Sequence, residues 1–335
     1  ALEVSCNYFF YELGSRMTIE MLNETANGLG LGVPTGIELT EKVGWVTDEA
    51  SKKAAYGETG VNSQITAGDR VLAAIGQAEN RFSPLQLCVY ASTLANKGTR
   101  MKATFLSRVV ASDYSSLIKE NSPEIMSQME IAYTTYNTYI EGMRLVIAGG
   151  EGTARSHFGG PKDLDTFPVA VCGKTGTAQH SSGGSDHGAF ICFAPMEDPE
   201  IAVAVYGEKA AHGATLAAVA EDILRAYFAM EAAKRIHDEL GKEIRVVDMF
   251  TIKPLDKQAV IDAAKTGRVV AAQDHNLLGG LGQLVGSCIA EAGIACKLVS
   301  RGCPDYFVPI ANPEFLYARN GMDADGLYEA MKAMF

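Results

Sequence analysis

Near the middle of the chain, apolar and partly β-branched residues run straight into a cation, two hydroxyls and a glycine. The stretch is Val169-Ala170-Val171-Cys172-Gly173-Lys174-Thr175-Gly176-Thr177-Ala178. It reads as a buried strand that ends, or continues as an edge, beside a cleft. Gly173 and Gly176 remove side chains where another chain comes close to the backbone. Lys174 supplies a point positive charge, with the Thr175 and Thr177 hydroxyls beside it. Together they suit an anionic, extended peptide end laid along the strand. The plainer alternative is a strand with an exposed lysine followed by a turn.

The chain has 335 residues, room for two or three domains. At 47% hydrophobic and 21% charged, it carries enough apolar material for large cores. A formal net charge of −11 argues against nucleic acid as a partner but leaves room for a local basic site such as Lys174. The seven cysteines (Cys6, Cys88, Cys172, Cys192, Cys288, Cys296, Cys303) form no C-x-x-C pair. They read as small buried hydrophobes rather than a disulfide framework. No His/Cys cluster has metal-ligand spacing, and neither metal nor cofactor is expected. No apolar run reaches the roughly 18 residues of a membrane span. The chain opens on Ala1, without Met or a signal peptide, which reads as a fragment or processed product.

In chain order, an aromatic run from Tyr8 to Tyr11 leads into a helical pattern broken at Gly14, then a helix over about 18–26. Residues 28–36 are a turn-rich loop and 45–70 are irregular. Ser83-Pro84 opens a helix that runs to about Lys97-Gly98. Residues 101–111 predict a strand. Ser122-Pro123 predicts a helical region over 124–147, and Ser181 to Gly184 a flexible loop. Residues 189–194 and 201–208 form a hairpin about Asp198-Pro199. A long helix follows over about 214–240. Beyond it, strands at 244–249, 268–272 and 295–299 alternate with helices at 256–264 and 281–292. That alternation implies a parallel sheet with helices on its faces. The boundary falls near Met230, giving domains 1–229 and 230–335.

The first domain resembles a penicillin-binding protein transpeptidase domain. Ser5-Cys6-Asn7 stands as its S-x-N motif and Lys174-Thr175-Gly176-Thr177 as its K-T-G motif. The segments Ile75-Gly76-Gln77-Ala78-Glu79-Asn80-Arg81-Phe82-Ser83-Pro84-Leu85-Gln86-Leu87 and Gly149-Gly150-Glu151-Gly152-Thr153-Ala154 also resemble the family. The resemblance implies an α+β transpeptidase fold, an antiparallel sheet with helices, truncated at its start. It implies acyl transfer through a serine ester, with the D-Ala-D-Ala end of a peptidoglycan stem peptide, or a β-lactam mimicking it, as ligand. By resemblance, Ser5 shuttles a proton near the leaving group, Asn7 bonds the substrate amide, and Lys174 supports the proton path. Thr175, Gly176 and Thr177 then form the substrate-binding strand. The two threonines hold the terminal carboxylate, and the Thr177 N–H is half of an oxyanion hole.

The family's nucleophile motif, S-x-x-K, is expected well before S-x-N. The one match here, Ser116-Leu117-Ile118-Lys119, comes after it and reads as chance. Without that serine the remaining residues orient a ligand but form no acyl-enzyme, so the chain is expected to be inactive as it stands.

The last part resembles the C-terminal domain of transketolase, through residues 245–256, Gln273-Asp274-His275-Asn276-Leu277-Leu278-Gly279-Gly280-Leu281-Gly282, Gly302-Cys303-Pro304-Asp305 and residues 321–326. This implies a smaller α/β domain with a mostly parallel sheet, chiefly structural and supporting a homodimer. In that family thiamine diphosphate and sugar phosphates are held mainly by two earlier domains, so none is expected here. Gly279-Gly280-Leu281-Gly282 reads as a tight strand-to-helix turn rather than an anion site. Asp274 and His275 read as a hydrogen-bonded loop pair rather than an acid/base couple. The two resemblances imply opposite sides of a membrane, the extracytoplasmic face for the first and the cytoplasm for the second. A non-catalytic fused or chimeric module is therefore a third reading. One physical rationale for the join is that 201–208 and the following helix replace a missing strand–helix unit of the second domain, which requires 201–208 to pair with 244–249.

Overall fold

The computed structural model describes residues 1–60, 62–113, 116–158, 169–179, 184–249, 251–305 and 319–335. Most of the loop expected at 181–184 lies outside them. The chain divides into two compact units. The first comprises Ala1–His157 and Val171–Ala220; the second comprises Phe158–Ala170 and Glu221–Phe335.

The first unit is built on a three-stranded antiparallel sheet. Its strands are β5 (Cys172–Ala178), β6 (His187–Ala194) and β7 (Ile201–Gly207), with β6 in the middle. Lys174 pairs with Ile191, Gly176 with Ala189 and Thr177 with Gly188. The expected hairpin is present: Ala194 pairs with Ile201. Helix α5 (Pro84–Ala95) packs on β6 and β7, and α6 (Tyr133–Ala148) packs on β5. Leu94, Ala95, Ile140, Met143, Cys172 and Phe193 are buried together where these elements meet. Helix α5 starts where Ser83-Pro84 requires. Ser83 accepts from the Gln86 N–H, while Gln86 Oε1 accepts from the Ser83 N–H at 3.1 Å. Cys172, Cys192 and Cys288 are buried, while Cys6, Cys88, Cys296 and Cys303 are partly exposed.

Several elements differ from the sequence reading, each for a local reason. Helix α1 (Asn7–Arg16) runs through Gly14 instead of breaking there. A Cβ on Gly14 would stand 2.6 Å from the Ala74 side chain, so the glycine lets α1 lie against α4 (Ala67–Ala73). Helix α2 (Ile19–Gly28) follows, capped by Thr18. The stretch expected to be irregular holds α3 (Glu49–Tyr56) and α4, each opened by a capping box, Asp48 with Ser51 and Thr66 with Asp69. Such boxes carry Ser or Asp where Glu or Gln is the usual signal. The strand expected over 101–111 is two short ones, β1 (Thr99–Met101) and β2 (Arg108–Val110). The first residues of the helix expected over 124–147 are instead β4 (Ile125–Gln128), which pairs with β1. Pairing with a strand far back in the chain overrides the local Ser-Pro start signal.

Helix α7 (Ala217–Leu240) is continuous, as expected. Its buried apolar positions are Ala217, Ala220, Leu224, Phe228, Ala232, Ala233 and Ile236; Glu221 is buried too, and Ile223 is exposed. In the second unit, β8 (Arg268–Asn276) and β9 (Lys297–Cys303) pair in parallel. Helices α8 (Lys257–Ala264), α9 (Leu281–Glu291) and α10 (Ala324–Lys332) also belong to it. Val260, Ala264, Ala271, Val285, Cys288 and Ile289 form its main core. Residues 244–249, expected as a strand, have no ladder; Val246 and Val247 are largely exposed, and Ile244 packs instead beside Ile236 and Tyr328. β7 pairs with β6 alone among the described residues, so the proposed substitution of 201–208 for a strand of the second domain fails.

Phe190 is fully buried in β6. Phe190→Ala is expected to cost about 3–5 kcal/mol. The chain's single tryptophan, Trp45, lies in the first unit and reports that unit's urea midpoint by fluorescence. An unchanged midpoint would contradict the packing described.

Candidate active site

Three segments meet at the free edge of β5. The first is the chain's opening residues. Leu2 lies against Gly142, where a Cβ would stand 2.7 Å from its Cδ1. The Glu3 carboxylate accepts the Glu151 N–H at 3.0 Å, and the Glu3 carbonyl accepts the Thr153 N–H at 3.2 Å. A Cβ on Gly149 would fall 2.2 Å from Glu3 Oε1, so only glycine admits the carboxylate there. The second segment, the Gly149-to-Ala154 loop, therefore acts as a seat for the first. The third is β5 itself: Thr153 and Thr175 share a hydroxyl–hydroxyl hydrogen bond of 2.8 Å.

This arrangement delivers Ser5 to Lys174. Lys174 Nζ donates to Ser5 Oγ and, at 2.7 Å, to the Thr175 carbonyl. Burial disfavours the ammonium and pushes the Lys174 pKa from its ordinary 10.5 down to about 8. Ser5 itself adopts a left-handed backbone, φ 49°. Asn7 opens α1 two residues further on and is exposed.

β6 occupies one edge of β5, and the other edge carries no strand among the described residues. The Thr175 carbonyl accepts from Lys174 Nζ, and the Thr177 carbonyl accepts from Gln77 Nε2 at 3.0 Å. These residues are two apart, so their peptide groups point to the same edge, and side-chain donors mark it as the one away from β6. A strand residue's N–H and C=O point the same way in an antiparallel ladder. The Thr175 and Thr177 N–H groups therefore face the open edge as well.

Of the sequence-predicted residues, the structure brings together Ser5, Lys174, Thr175, Gly176 and Thr177, while Asn7 is placed only by its position two residues after Ser5. Sequence reasoning missed Gln77 and Thr153 as parts of the site. Both lie in segments that carry the family resemblance, and each sits in a glycine-marked turn. The Gln77 turn is pinned from behind: the Asn80 carboxamide accepts the Thr47 N–H at 2.9 Å and donates to the Ala73 carbonyl at 3.1 Å. Ser116 lies outside this site, exposed at the turn before β3 (Leu117–Glu120). Lys119 is in that strand, opposite Val109. An extended chain points residues three apart to opposite faces, so the pair lacks the helical register that S-x-x-K chemistry needs.

An antiparallel sheet backed by helices thus carries a lysine–serine pair and outward amides on its free edge. Residues 1–227 match the penicillin binding protein transpeptidase domain, and the chain belongs to that family. Residues 224–327 match the C-terminal domain of transketolase. The peptidoglycan D,D-transpeptidase MrdA of Acinetobacter baumannii is 27% identical over 238 residues, 67% of this chain and 33% of that protein. One of the subunits of the apulose-4-phosphate transketolase of Phocaeicola vulgatus is 33% identical over 114 residues, 34% of this chain and 35% of that one. Penicillin-binding protein 2 of Helicobacter pylori superposes with a TM-score of 0.52 at 25% identity, over 66% of this chain and 37% of that one. The chain thus spans about a third of the length of each of these proteins.

Two outcomes follow. Gly149→Ala is expected to displace Glu3 and with it Ser5, costing about 1–3 kcal/mol. Gly150→Ala, where the nearest atom to a Cβ is 3.8 Å away, is expected to be close to neutral. Trp45-monitored urea unfolding of the two variants compares them. The second concerns pH. Folded Lys174 binds its proton more weakly than the unfolded chain does, so stability from this group is lowest below about pH 8 and rises as pH climbs toward 10.5. The stability of the wild type relative to Lys174→Met should therefore increase over that window, by at most about 3 kcal/mol. A constant difference would mean that Nζ is well hydrated.

Proposed function

We propose that the first unit is a D,D-transpeptidase-like, penicillin-binding module. It takes the acyl-D-Ala-D-Ala end of a peptidoglycan stem peptide, or a β-lactam, along the open edge of β5. The observation that carries this reading is the outward pair of N–H groups at Thr175 and Thr177 next to a lysine–serine pair. An extended ligand adds to such an edge by main-chain hydrogen bonds. Thr177 N–H would hold the reacting carbonyl oxygen, Lys174 and the Thr177 hydroxyl the ligand's anionic end, and Asn7 the ligand's amide. Ser5 would relay a proton through Lys174. Family membership and the likeness to a peptidoglycan D,D-transpeptidase support the ligand class. Cross-linking of peptide substrates is not expected of this chain by itself, because its S-x-x-K match lies in an exposed hairpin.

A second reading concerns residues 224–327. Their match to a transketolase C-terminal domain, and the likeness to a transketolase built from separate chains, support an accessory or dimer-forming role beside a thiamine diphosphate enzyme. The residues present do not fit a diphosphate. The Leu281 N–H at the start of α9 donates to Gln273 Oε1, and the Gly279 N–H donates to Gln283 Oε1 at 2.7 Å. The glycine turn is thus closed by its own side chains. The Asp274 and His275 side chains lie outside the described residues.

Thermal shift separates these readings, since a ligand that binds only the folded state raises its stability, by about 2.7 kcal/mol at a hundred times its Kd. Benzylpenicillin and an acetylated D-Ala-D-Ala peptide are expected to raise the Tm, and the peptide's C-terminal amide to do so less. Thr177→Pro, which deletes the outward N–H on an edge strand, should abolish the shift. No response to penicillin or peptide would overturn the first reading. A response to thiamine diphosphate alone would favour the second, and a flat response to all of them a non-catalytic fused module.

A further inference from the structure

We infer that Ser5 and Lys174 form a serine–lysine nucleophile pair able to accept an acyl group from small activated esters, giving this chain a hydrolase activity of its own. Three observations carry it. Lys174 Nζ donates to Ser5 Oγ, so once it loses a proton the amine is already placed to accept the hydroxyl's proton as a base. Ser5 holds a left-handed backbone that a non-glycine residue adopts only when its surroundings impose it, and such outliers concentrate where a side chain must be aimed. The hydroxyl lies beside the open edge of β5, because the same Nζ that holds it also donates to the outward Thr175 carbonyl. The next outward amide, on Thr177, follows two residues along the strand at about 3.3 Å rise per residue. Burial of Nζ keeps a useful fraction of the amine unprotonated at mildly alkaline pH.

The step balances without any outside reagent. The neutral Lys174 amine takes the Ser5 proton as Oγ attacks the acyl carbon. The Thr177 N–H faces the oxyanion. The ester bond breaks, and the phenolate leaves without needing an acid. The Lys174 ammonium then releases that proton to solvent. Water adds to the acyl-serine and gives a proton to the neutral amine, and the carboxylic acid departs as Ser5 Oγ takes that proton back. A peptide substrate differs because its amine must be protonated as it leaves. This activity therefore stands apart from the binding reading above, and a neutral ester without a carboxylate tests it separately.

The test is stopped-flow hydrolysis of p-nitrophenyl acetate by the full chain. Acylation is expected to give a burst of p-nitrophenolate stoichiometric with protein, and a single acetyl group on the peptide containing Ser5. Neutral hydroxylamine before mapping strips thioesters, including any on the neighbouring Cys6, and leaves an oxygen ester. Ser5→Ala should remove the burst, Lys174→Gln should slow it at least tenfold, and Ser116→Ala should leave it unchanged. In the wild type the burst rate should rise with pH through an apparent pKa near 8, a profile lost in Lys174→Gln. Near-ultraviolet circular dichroism establishes that each variant is folded. If Ser5→Ala does not fold, the acetyl map on the wild type decides alone. An acetyl group on Lys174 but not on Ser5, an acetyl group that hydroxylamine removes, or no burst above that of Ser5→Ala would overturn the inference.

Discussion

An amine drawn partly out of water must find acceptors, and Lys174 finds them in Ser5 Oγ and the Thr175 carbonyl. That requirement ties the first residues of the chain to a strand that begins about 170 residues later. It also explains the glycines between them. Gly142 and Gly149 leave room for Leu2 and Glu3, and a Cβ on Gly152 would press on the carbonyls of Leu145 and Val146 at the end of α6. The loop at 149–154 is thus shaped less by its own turn chemistry than by the need to seat the segment carrying Ser5.

How much of this was legible in the sequence depended on whether the deciding interaction was local. The β5–β6–β7 sheet announced itself through apolar runs and an Asp-Pro turn, and α5 through Ser83-Pro84, because each is specified within a few residues. The misreadings share the opposite property. Residues 125–128 carry a helix-start signal just before them, yet become a strand because residues 99–101 lie alongside. Gly14 looks like a break until α4 is placed against it. Residues 244–249 have strand composition but pair with no strand among the described residues. In the site, the K-T-G and S-x-N residues were readable as motifs. Gln77 and Thr153 were not, since a glutamine on a turn and a threonine after glycines take on meaning only once β5 lies beside them.

Helix α7 runs without interruption across the boundary at Ala220 and Glu221: the apolar positions Ala217, Ala220, Leu224, Phe228, Ala232 and Ile236 continue at helical spacing through it. Helix periodicity is indifferent to which domain supplies each half, so a fusion placed within a helix costs little local structure. The sheets behave differently. β7 remains paired with β6 and contributes nothing to the parallel pair β8–β9, so among the described residues each sheet is built from strands of one unit.

An open strand edge is ordinarily a hazard, because it offers both donors and acceptors to any second strand. The edge of β5 is not symmetric in this sense. Its carbonyls at Thr175 and Thr177 each already hold a bond, from Lys174 and from Gln77, while the intervening geometry leaves the N–H groups facing outward. A second β-strand needs acceptors as well as donors and would meet carbonyls that are partly satisfied. A ligand that brings chiefly oxygen, such as a carboxylate or a polarised carbonyl, loses nothing by this and gains the nearby ammonium. The two side chains that cap the carbonyls therefore do more than fill bonds. They leave an edge that offers its donors more freely than its acceptors, the asymmetry that an oxygen-bearing ligand would meet first.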